Sequence, residues 1–279
     1  MPHFDTSEFK IYYNVHHIGP VEGDVSHRIL CVPGLCSTTD FWEDIFLGRL
    51  NLNASLLVFD NLCVGRSSSI PGLATTTSFA SCVLQLLDHL GWNSEITVVG
   101  HSMGGMISLR LVLLDPQRFS HCILCSTRGA FALPPLSTSV KSCFYALRHG
   151  HQRARQLLRY GQSVDEVCPY DENLTNCEYF IERDSRIKDE YPQTFSSVLK
   201  QTFAALHHSV SSAEMETLRD SNVDFLIVVG NHDHYVRVSC SEKLQRQLGC
   251  EKVELNGSHC VIESNPDEFC RLIQGFLTR

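Results

Sequence analysis

Residues 96–105 read ITVVGHSMGG, an apolar strand-like run that leads into the pattern Gly-x-Ser-x-Gly and then into a helical pattern. A serine on a sharp strand-to-helix turn needs a strained backbone, and Gly100 and Gly104 remove Cβ atoms that would collide there. Such a turn exposes the Ser102 hydroxyl at the end of a sheet, beside a helix N-terminus whose free amides favour negative charge. The five-residue pattern is common by chance, but its place between a strand and a helix predicts that Ser102 is a nucleophile.

On both sides of this stretch, short apolar runs rich in β-branched residues alternate with longer runs of helical period. Several of the short runs are apolar at every position, which is typical of a parallel sheet covered on both faces. The candidate strands are residues 9–15, 29–32, 55–59, 96–99, 122–125, 225–229 and 252–255. The candidate helices between them are 38–50, 77–90, 104–114, 238–248 and 266–277. This alternation predicts an α/β fold.

The alternation breaks between about Gly129 and Ser221, where the chain is more polar and contains Pro134 and Pro135. Helical patterns occur there at 139–148 and 194–206 without strands between them, and strand-like residues resume at Val223. We therefore predict a core of residues 1–129 and 221–279, with residues 130–220 as a mostly helical insertion that caps the sheet edge. An independent second domain is the alternative, but each flanking piece would then hold only part of a sheet.

Two residues that could activate the serine follow later strands. His259 lies just after the strand-like EKVELN, and histidine has a pKa suited to a general base near neutrality. Asp233 follows the apolar DFLIVVG and could fix the imidazole tautomer. Parallel strands end at one edge of a sheet, so the order Ser102, Asp233, His259 predicts a catalytic triad. The alternatives are a turn or N-cap aspartate and a surface or cap-contact histidine.

An oxyanion that forms during attack on a carbonyl needs amide donors, each worth roughly 3–4 kcal/mol. We expect one donor to be the Met103 N–H, directly after the nucleophile, and the second to be the Leu35 N–H, in the loop after residues 29–32. Gly34 lets that loop approach closely, although an ordinary strand-to-helix turn would look similar. A second loop, FDNLCVGRSS at 59–68, contains Asp60, Gly65 and Ser67, which we expect to brace the loops rather than contact substrate.

The charge of the chain excludes one class of partner. Lys and Arg total 23 against 31 Asp and Glu, giving a formal net charge of −8, and no dense basic block occurs. Nucleic-acid binding depends on clustered cations, so we expect no nucleic-acid partner. The longest uncharged run, residues 67–87, contains Pro71, Gly72 and many hydroxyl side chains, so we expect no stable membrane insertion. The opening MPHFDTSEFK resembles neither a secretory signal nor a transit peptide, which predicts a cytoplasmic protein.

Metal and redox chemistry are not expected. The thirteen cysteines are odd in number and scattered through apolar segments, which is typical of buried thiols in a reducing compartment. Cys122 and Cys125 form a CxxC pair, but it lies in a strand-like segment and has no second pair. His232 and His234 flank Asp233, but they would project to opposite sides of an extended loop, and no further ligand cluster has suitable spacing. We therefore predict no metal site and no cofactor.

Taken together, the GHSMGG turn, the segment from Asp60 to Ser67, the Gly230 to Asp233 step and His259 followed by Glu263 and Pro266 resemble the α/β-hydrolase fold superfamily. The resemblance implies a mostly parallel, eight-stranded sheet with flanking helices and a helical cap inserted after the sixth strand. Capped esterases, lipases and lactonases are the most similar group.

The sequence departs from this family at two loops. Pro33 stands where a histidine often precedes the oxyanion-loop glycine, and Leu62 and Cys63 replace an Arg-Gly pair in the turn after Asp60. Neither change removes a predicted catalytic group, although both could lower activity. The serine at position 102 argues against the branches of the family that use an aspartate nucleophile.

These features predict a serine hydrolase that cleaves carboxylic esters through an acyl-enzyme, on a small-molecule substrate with an apolar acyl group. Alternatives are a lactone or C–C bond hydrolase with the same triad, a non-hydrolytic enzyme, or a ligand-binding receptor on the same fold. Cap residues could line an acyl pocket or pack within the cap; they are Phe131, Leu133, Phe144 and Leu147. Nothing in the sequence indicates the oligomeric state.

Overall fold

A computed structural model describes residues 2–19, 27–132 and 136–279, with the backbone alone for residues 136, 137, 139, 140 and 143. The strands are β1 (His3–Asp5), β2 (Lys10–Ile18), β3 (His27–Val32), β4 (Ala54–Phe59), β5 (Ile96–His101), β6 (Phe119–Cys125), β7 (Val167–Cys168), β8 (Asp171–Thr175), β9 (Asp224–Gly230) and β10 (Glu251–Leu255). The helices are α1 (Asp40–Phe46), α2 (Thr76–His89), α3 (Met103–Leu114), α4 (Leu136–His149), α5 (His151–Tyr160), α6 (Asn176–Glu190), α7 (Phe195–Leu206), α8 (Ser212–Arg219), α9 (Val238–Leu248), α10 (Val261–Ser264) and α11 (Pro266–Leu277).

Eight strands form one sheet in the order β1-β2-β4-β3-β5-β6-β9-β10. The pairs from β4 to β10 in this order are parallel, whereas β1 pairs antiparallel with β2 and β2 pairs antiparallel with β4. The predicted mostly parallel, eight-stranded sheet is thereby confirmed. Six of the seven candidate strands lie within one of these strands, and the seventh, 9–15, begins one residue before β2. The strand β1, only three residues long, was not predicted.

Alternate residues of the central strands are buried on opposite faces of the sheet, which explains why those strands are apolar throughout. In β3, Leu30 and Val32 pack into a cluster with residues of α2 and α3. Ile29 and Cys31 pack into a second cluster with residues of α1 and α11. Each fully buried aliphatic side chain contributes about 1.5–3 kcal/mol, so covering both faces stabilises the sheet that positions the loops at its edge.

The helix after β3 is shorter than the predicted 38–50. The Thr39 N–H donates to Asp60 Oδ1 at 2.9 Å, and α1 begins directly afterwards at Asp40. At the other end Leu47 is extended and Gly48 has a φ of +77°, so the helix ends at Phe46. The helical period in the sequence continues past this point because Leu50 is buried in the core, although its backbone is no longer helical.

Between β6 and β9 the chain forms α4 to α8 and a two-stranded ribbon of β7 and β8. The ribbon, α5, α6 and α8 were not predicted. The division into a core and a cap of residues 130–220 remains a prediction. Part of this segment packs into the core, because Met215 and Leu218 of α8 belong to the same buried cluster as residues of α2 and α3.

None of the helices described is both long and apolar enough to cross a membrane.

Candidate active site

The turn at Ser102 has the strained backbone that its sequence predicts. Ser102 has a φ of +54° and a ψ of −116°, and its N–H donates to the Cys125 carbonyl at 2.8 Å. A Cβ on Gly104 would lie 2.1 Å from the Val32 carbonyl oxygen, and one on Gly100 would lie 2.5 Å from the Gly104 carbonyl oxygen. Glycine is therefore required at both positions for helix α3 to begin against β3 and β5.

The Asp233 carboxylate is fixed by its own loop, just after β9. Its Oδ1 accepts the N–H groups of Tyr235 and Val236 at 2.8 and 2.9 Å. Its Oδ2 lies 2.8 Å from His259 Nδ1, and the side chain is fully buried. The carboxylate accepts, so the proton of the neutral imidazole sits on Nδ1. The loop residues thereby set both the position of the carboxylate and the tautomer of His259.

The structure brings all three predicted triad residues together. With its proton on Nδ1, His259 presents the Nε2 lone pair to the Ser102 hydroxyl, and the two atoms are 3.0 Å apart. This arrangement is that of a general base hydrogen-bonded to a nucleophile and oriented by a third group. It can deprotonate the serine as the serine bonds to an electrophile.

Helix α5 holds the loop that carries His259 on both sides. The Cys260 N–H donates to the Arg159 carbonyl at 2.8 Å, and the Ser258 hydroxyl donates to the Leu158 carbonyl at 2.9 Å. At the end of α5 the Tyr160 hydroxyl donates to the fully buried Glu263 carboxylate at 2.6 Å. The sequence offered no signal for these contacts, because they join residues about a hundred positions apart.

His101, which precedes Ser102, contacts His259 through both its ring and a hydrogen bond. Its ring lies between Phe41 and His259, with centroids 5.0 and 4.9 Å away. Its Nε2–H donates to the His259 carbonyl at 3.0 Å. Burial, reinforced by the neighbouring His259, lowers the pKa of His101 to about 3. His101 is therefore a neutral positioning residue, and the sequence analysis did not assign it this role although it lies inside GHSMGG.

The loop with Leu35 reaches the nucleophile and is braced from α7. A Cβ on Gly34 would lie 3.1 Å from His101 Nδ1 and 3.5 Å from Ser102 Cβ. The Cys36 N–H donates to Gln201 Oε1 at 2.8 Å, and Gln201 Nε2 donates to the Leu62 carbonyl at 2.9 Å. Gln201 thus links the two loops in which the sequence departs from its family. Leu35 and Met103 both line the cavity beside Ser102, and their predicted role as oxyanion donors remains a prediction.

Asp60 has the bracing role predicted for it. Its carboxylate accepts the N–H of Thr39 and both the N–H and Nε–H of Arg66, all within 2.9 Å. The Ser67 hydroxyl donates to the Asp60 carbonyl. Gly65 has a φ of +58°, and a Cβ there would collide with the Asp60 carboxylate. These contacts fix the turn without involving the triad.

A cavity of about 1010 Å³ opens over Ser102 and His259. Its walls come from the loops after β3, β5, β6 and β9 and from α5, α6 and α7 of the segment between β6 and β9. Phe131, Phe144 and Leu147 are exposed and are not among the residues that line it, so they do not form the acyl pocket considered above. Leu133 lies outside the described residues. The apolar lining is instead supplied by residues such as Met106, Val198 and Leu206.

The CxxC pair and the two histidines beside Asp233 have ordinary surroundings. Burial raises the pKa values of Cys122 and Cys125, so these thiols stay protonated inside β6. Lys141 Nζ lies 3.4 Å from His234 Nδ1. In the described part of the chain, no group of three or more His, Cys, Asp or Glu side chains could hold a metal ion.

Comparison with known proteins identifies the family of the fold. The family described as alpha/beta hydrolase fold matches residues 27–266. An uncharacterized hydrolase of Bacillus subtilis, YugF, is 24% identical and covers 98% of this chain and 96% of its own. A thermophilic esterase from Thermogutta terrifontis superposes with a TM-score of 0.76 at 17% identity, covering 100% of this chain and 98% of its own. The enol-lactonase of Burkholderia xenovorans LB400 gives 0.74 at 20% identity and 100% coverage of both chains. The chain therefore belongs to the alpha/beta hydrolase fold family.

Proposed function

We propose that this protein is a serine hydrolase that cleaves carboxylic esters of small molecules. The observation that carries the proposal is the continuous hydrogen-bond chain from Asp233 through His259 to Ser102, at the base of a large cavity. The similarity to proteins named as a hydrolase, an esterase and a lactonase supports the reaction class.

In the proposed reaction Ser102 Oγ attacks the ester carbonyl carbon while its proton passes to His259 Nε2. Asp233 stabilises the imidazolium that forms, and the N–H groups of Leu35 and Met103 receive the oxyanion. The tetrahedral intermediate collapses, the C–O bond to the alcohol breaks, and His259 returns the proton to the leaving oxygen. A water then attacks the acyl carbon while His259 takes its proton; the bond from that carbon to Ser102 Oγ breaks, His259 returns the proton to Oγ, and the acid is released.

We also propose that α5, α6 and α7 act as the cap of this site. They supply much of the cavity wall, and α5 bonds directly to the His259 loop. A wall on this side limits the water that reaches the acyl-enzyme and strengthens the electrostatic interactions inside the cavity.

The test is labelling with a fluorophosphonate, beside turnover of 4-nitrophenyl esters of increasing acyl length. Ser102→Ala is expected to abolish labelling and to lower kcat by about 10⁶-fold, because the nucleophile is gone. Ser37→Ala is the matched control, since Ser37 lines the same cavity outside the triad. The proposal would be contradicted if labelling persisted in Ser102→Ala but was abolished by replacing a different serine. If lactones were turned over faster than the 4-nitrophenyl esters, the substrate class would be lactones and the proposed mechanism would be unchanged.

A further inference from the structure

The cavity over Ser102 is cationic, although the protein as a whole has a net charge of −8. Among the residues that the structure describes, six cationic side chains and two carboxylates line it. The cations are Arg128, Arg155, Arg159, Arg183, Lys188 and Arg237, and the carboxylates are Asp184 and Asp189. A concave site with one sign of charge concentrates ligands of the opposite sign.

Three of these cations already have partners in the protein. Arg128 donates to four backbone carbonyls, two of them at the end of α7. Arg183 pairs with Glu263 and with Asp44. Arg159 pairs with Asp184 at 2.8 Å and lies 3.7 Å from Glu263. These side chains hold the wall together and have little capacity left for a ligand.

The other three are available. Arg155 has a side chain that is 58% exposed, and its nearest carboxylate, Asp184 at 3.4 Å, is shared with Arg159. Lys188 and Arg237 have no carboxylate within ion-pair distance among the residues described. Two lining carboxylates could oppose a bound anion: Asp189, beside Lys188, and Asp184, which is paired with Arg159 as well as Arg155. The cationic side chains that line the cavity still outnumber the carboxylates.

Arg155 is electrostatically close to both sides of the catalytic centre. Burial raises the pKa of the Cys36 thiol to about 11, and the charge of Arg155 partly offsets that rise. Burial also raises the pKa of Tyr235, and Arg159 and then Arg155 oppose it. Cys36 follows Leu35 in the chain, and the Tyr235 ring lies 5.1 Å from that of His259. Arg155 lines the same cavity as Ser102 and His259, so a group bound at Arg155 shares that cavity with an ester held over Ser102.

We propose that the substrate carries a carboxylate in addition to its ester bond, and that Arg155, aided by Lys188 and Arg237, binds it. Guanidinium groups bind carboxylates in bidentate geometry, and the charge-assisted bonds are strong. The wall from α7 contributes Val198, Ala205 and Leu206 and no charged group, so the rest of the substrate contacts an apolar surface. This inference rests on the proposed function, because it names the substrate class of the same site.

The kinetic test compares matched anionic and neutral esters. One pair is 4-nitrophenyl hydrogen glutarate and 4-nitrophenyl valerate, with the carboxylate on the acyl side. The second pair is 4-(butyryloxy)benzoate and phenyl butyrate, with the carboxylate on the leaving group. In Arg155→Gln we expect the anionic-to-neutral ratio of kcat/KM to fall about ten-fold in at least one pair. Arg153→Gln, on the same helix but paired with Asp165 outside the cavity, should leave both ratios unchanged. Unchanged ratios in Arg155→Gln for both pairs would overturn the inference.

A binding measurement tests the proposed carboxylate site independently of the proposed ester hydrolysis. In Ser102→Ala, titration calorimetry should show monomethyl glutarate binding at least ten-fold more tightly than dimethyl glutarate. Adding Arg155→Gln should remove that preference. If the wild type cleaves no ester, the proposed function fails while this titration still decides the charge preference. Equal affinity for the two glutarates would overturn the inference even if ester cleavage is found.

Discussion

The two sides of the active-site cavity are built in different ways. On the sheet side, the amides of Tyr235 and Val236, close in sequence, fix Asp233, whereas the loop of His259 also depends on α5. On the side formed by α5, α6 and α7, positions are set by contacts between distant residues, such as Tyr160 with Glu263. Under the proposed function, the first side supplies the reacting groups, and the second supplies the charge and the shape that a substrate meets. The two sides can be tested separately, although α5 joins them at the loop of His259.

The largest effect should follow from a change on the sheet side that keeps the shape of the site. In Asp233→Asn the amide would donate to His259 Nδ1 and force the proton onto Nε2, so His259 could no longer accept from Ser102. We expect kcat for 4-nitrophenyl butyrate to fall by about 10⁴-fold. His232→Asn, one residue earlier on the exposed part of the loop, is the control. A loss of less than ten-fold in Asp233→Asn would show that the orienting role is misassigned.

A smaller effect should follow from breaking the contact between α7 and the loop that carries Leu35. Gln201→Ala leaves the Cys36 N–H and the Leu62 carbonyl without their partner, at a cost of about 1–3 kcal/mol. We expect kcat/KM to fall about ten-fold or more and Tm to decrease. Lys200→Ala, on the same helix but bonded to residues 69 and 70, should change kcat/KM little. Equal activity losses in the two variants would mean that α7 acts only as general support.

The smallest effect concerns pH and involves one buried histidine on each side. The pKa of His208, which follows α7, is lowered to about 3, mainly by burial and then by Arg110 and Arg128. His101 on the sheet side has a pKa of about 3 as well. Both values lie below the 6.5 of an unfolded histidine, so the unfolded chain binds more protons. The stability from each neutral ring is complete above pH 6.5 and is lost as the pH falls from 6.5 towards 3.

Urea denaturation at pH 7, 6 and 5 tests this dependence. Each histidine should contribute a loss of up to about 1.4 kcal/mol per pH unit below 6.5. His208→Gln should reduce the slope by about that amount, whereas replacing the exposed His149 should leave it unchanged. Identical slopes in the wild type and His208→Gln would rule out His208 as a source of acid sensitivity.

The sequence predicted the sheet side well because its signals are local. The strands at 29–32, 96–99 and 225–229 are apolar on both faces; Ser102 directly follows one of them, and Asp233 lies in the loop after another. His259 lies in the loop after β10, whose sequence EKVEL carries a weaker strand signal. The bracing role of Asp60 could also be predicted, because Asp60, Gly65 and Ser67 all lie in the short segment 59–68. β1 was missed because three residues carry too little periodicity to be recognised.

The other side of the cavity could not be read in the same way. Helix α5 was not predicted because polar residues outnumber apolar ones in its sequence, HQRARQLLRY, and no clear apolar period is left to recognise. Of the residues considered for an acyl pocket, Phe131, Phe144 and Leu147 are exposed, while Gln201 and Arg155 belong to no sequence motif. Their importance depends on which loops they meet, and that is decided by the tertiary structure.

The bonds from Leu158, Arg159 and Tyr160 to the loop around His259 have a consequence for protein engineering. Exchange of the insertion with that of another hydrolase, to import a different selectivity, would discard the three anchors that keep the imidazole in register with the serine. A chimera should retain residues 158–160 together with Glu263, and the grafting points are best chosen outside them. A segment exchanged to change selectivity in this protein therefore has to keep the contacts that hold the loop of His259.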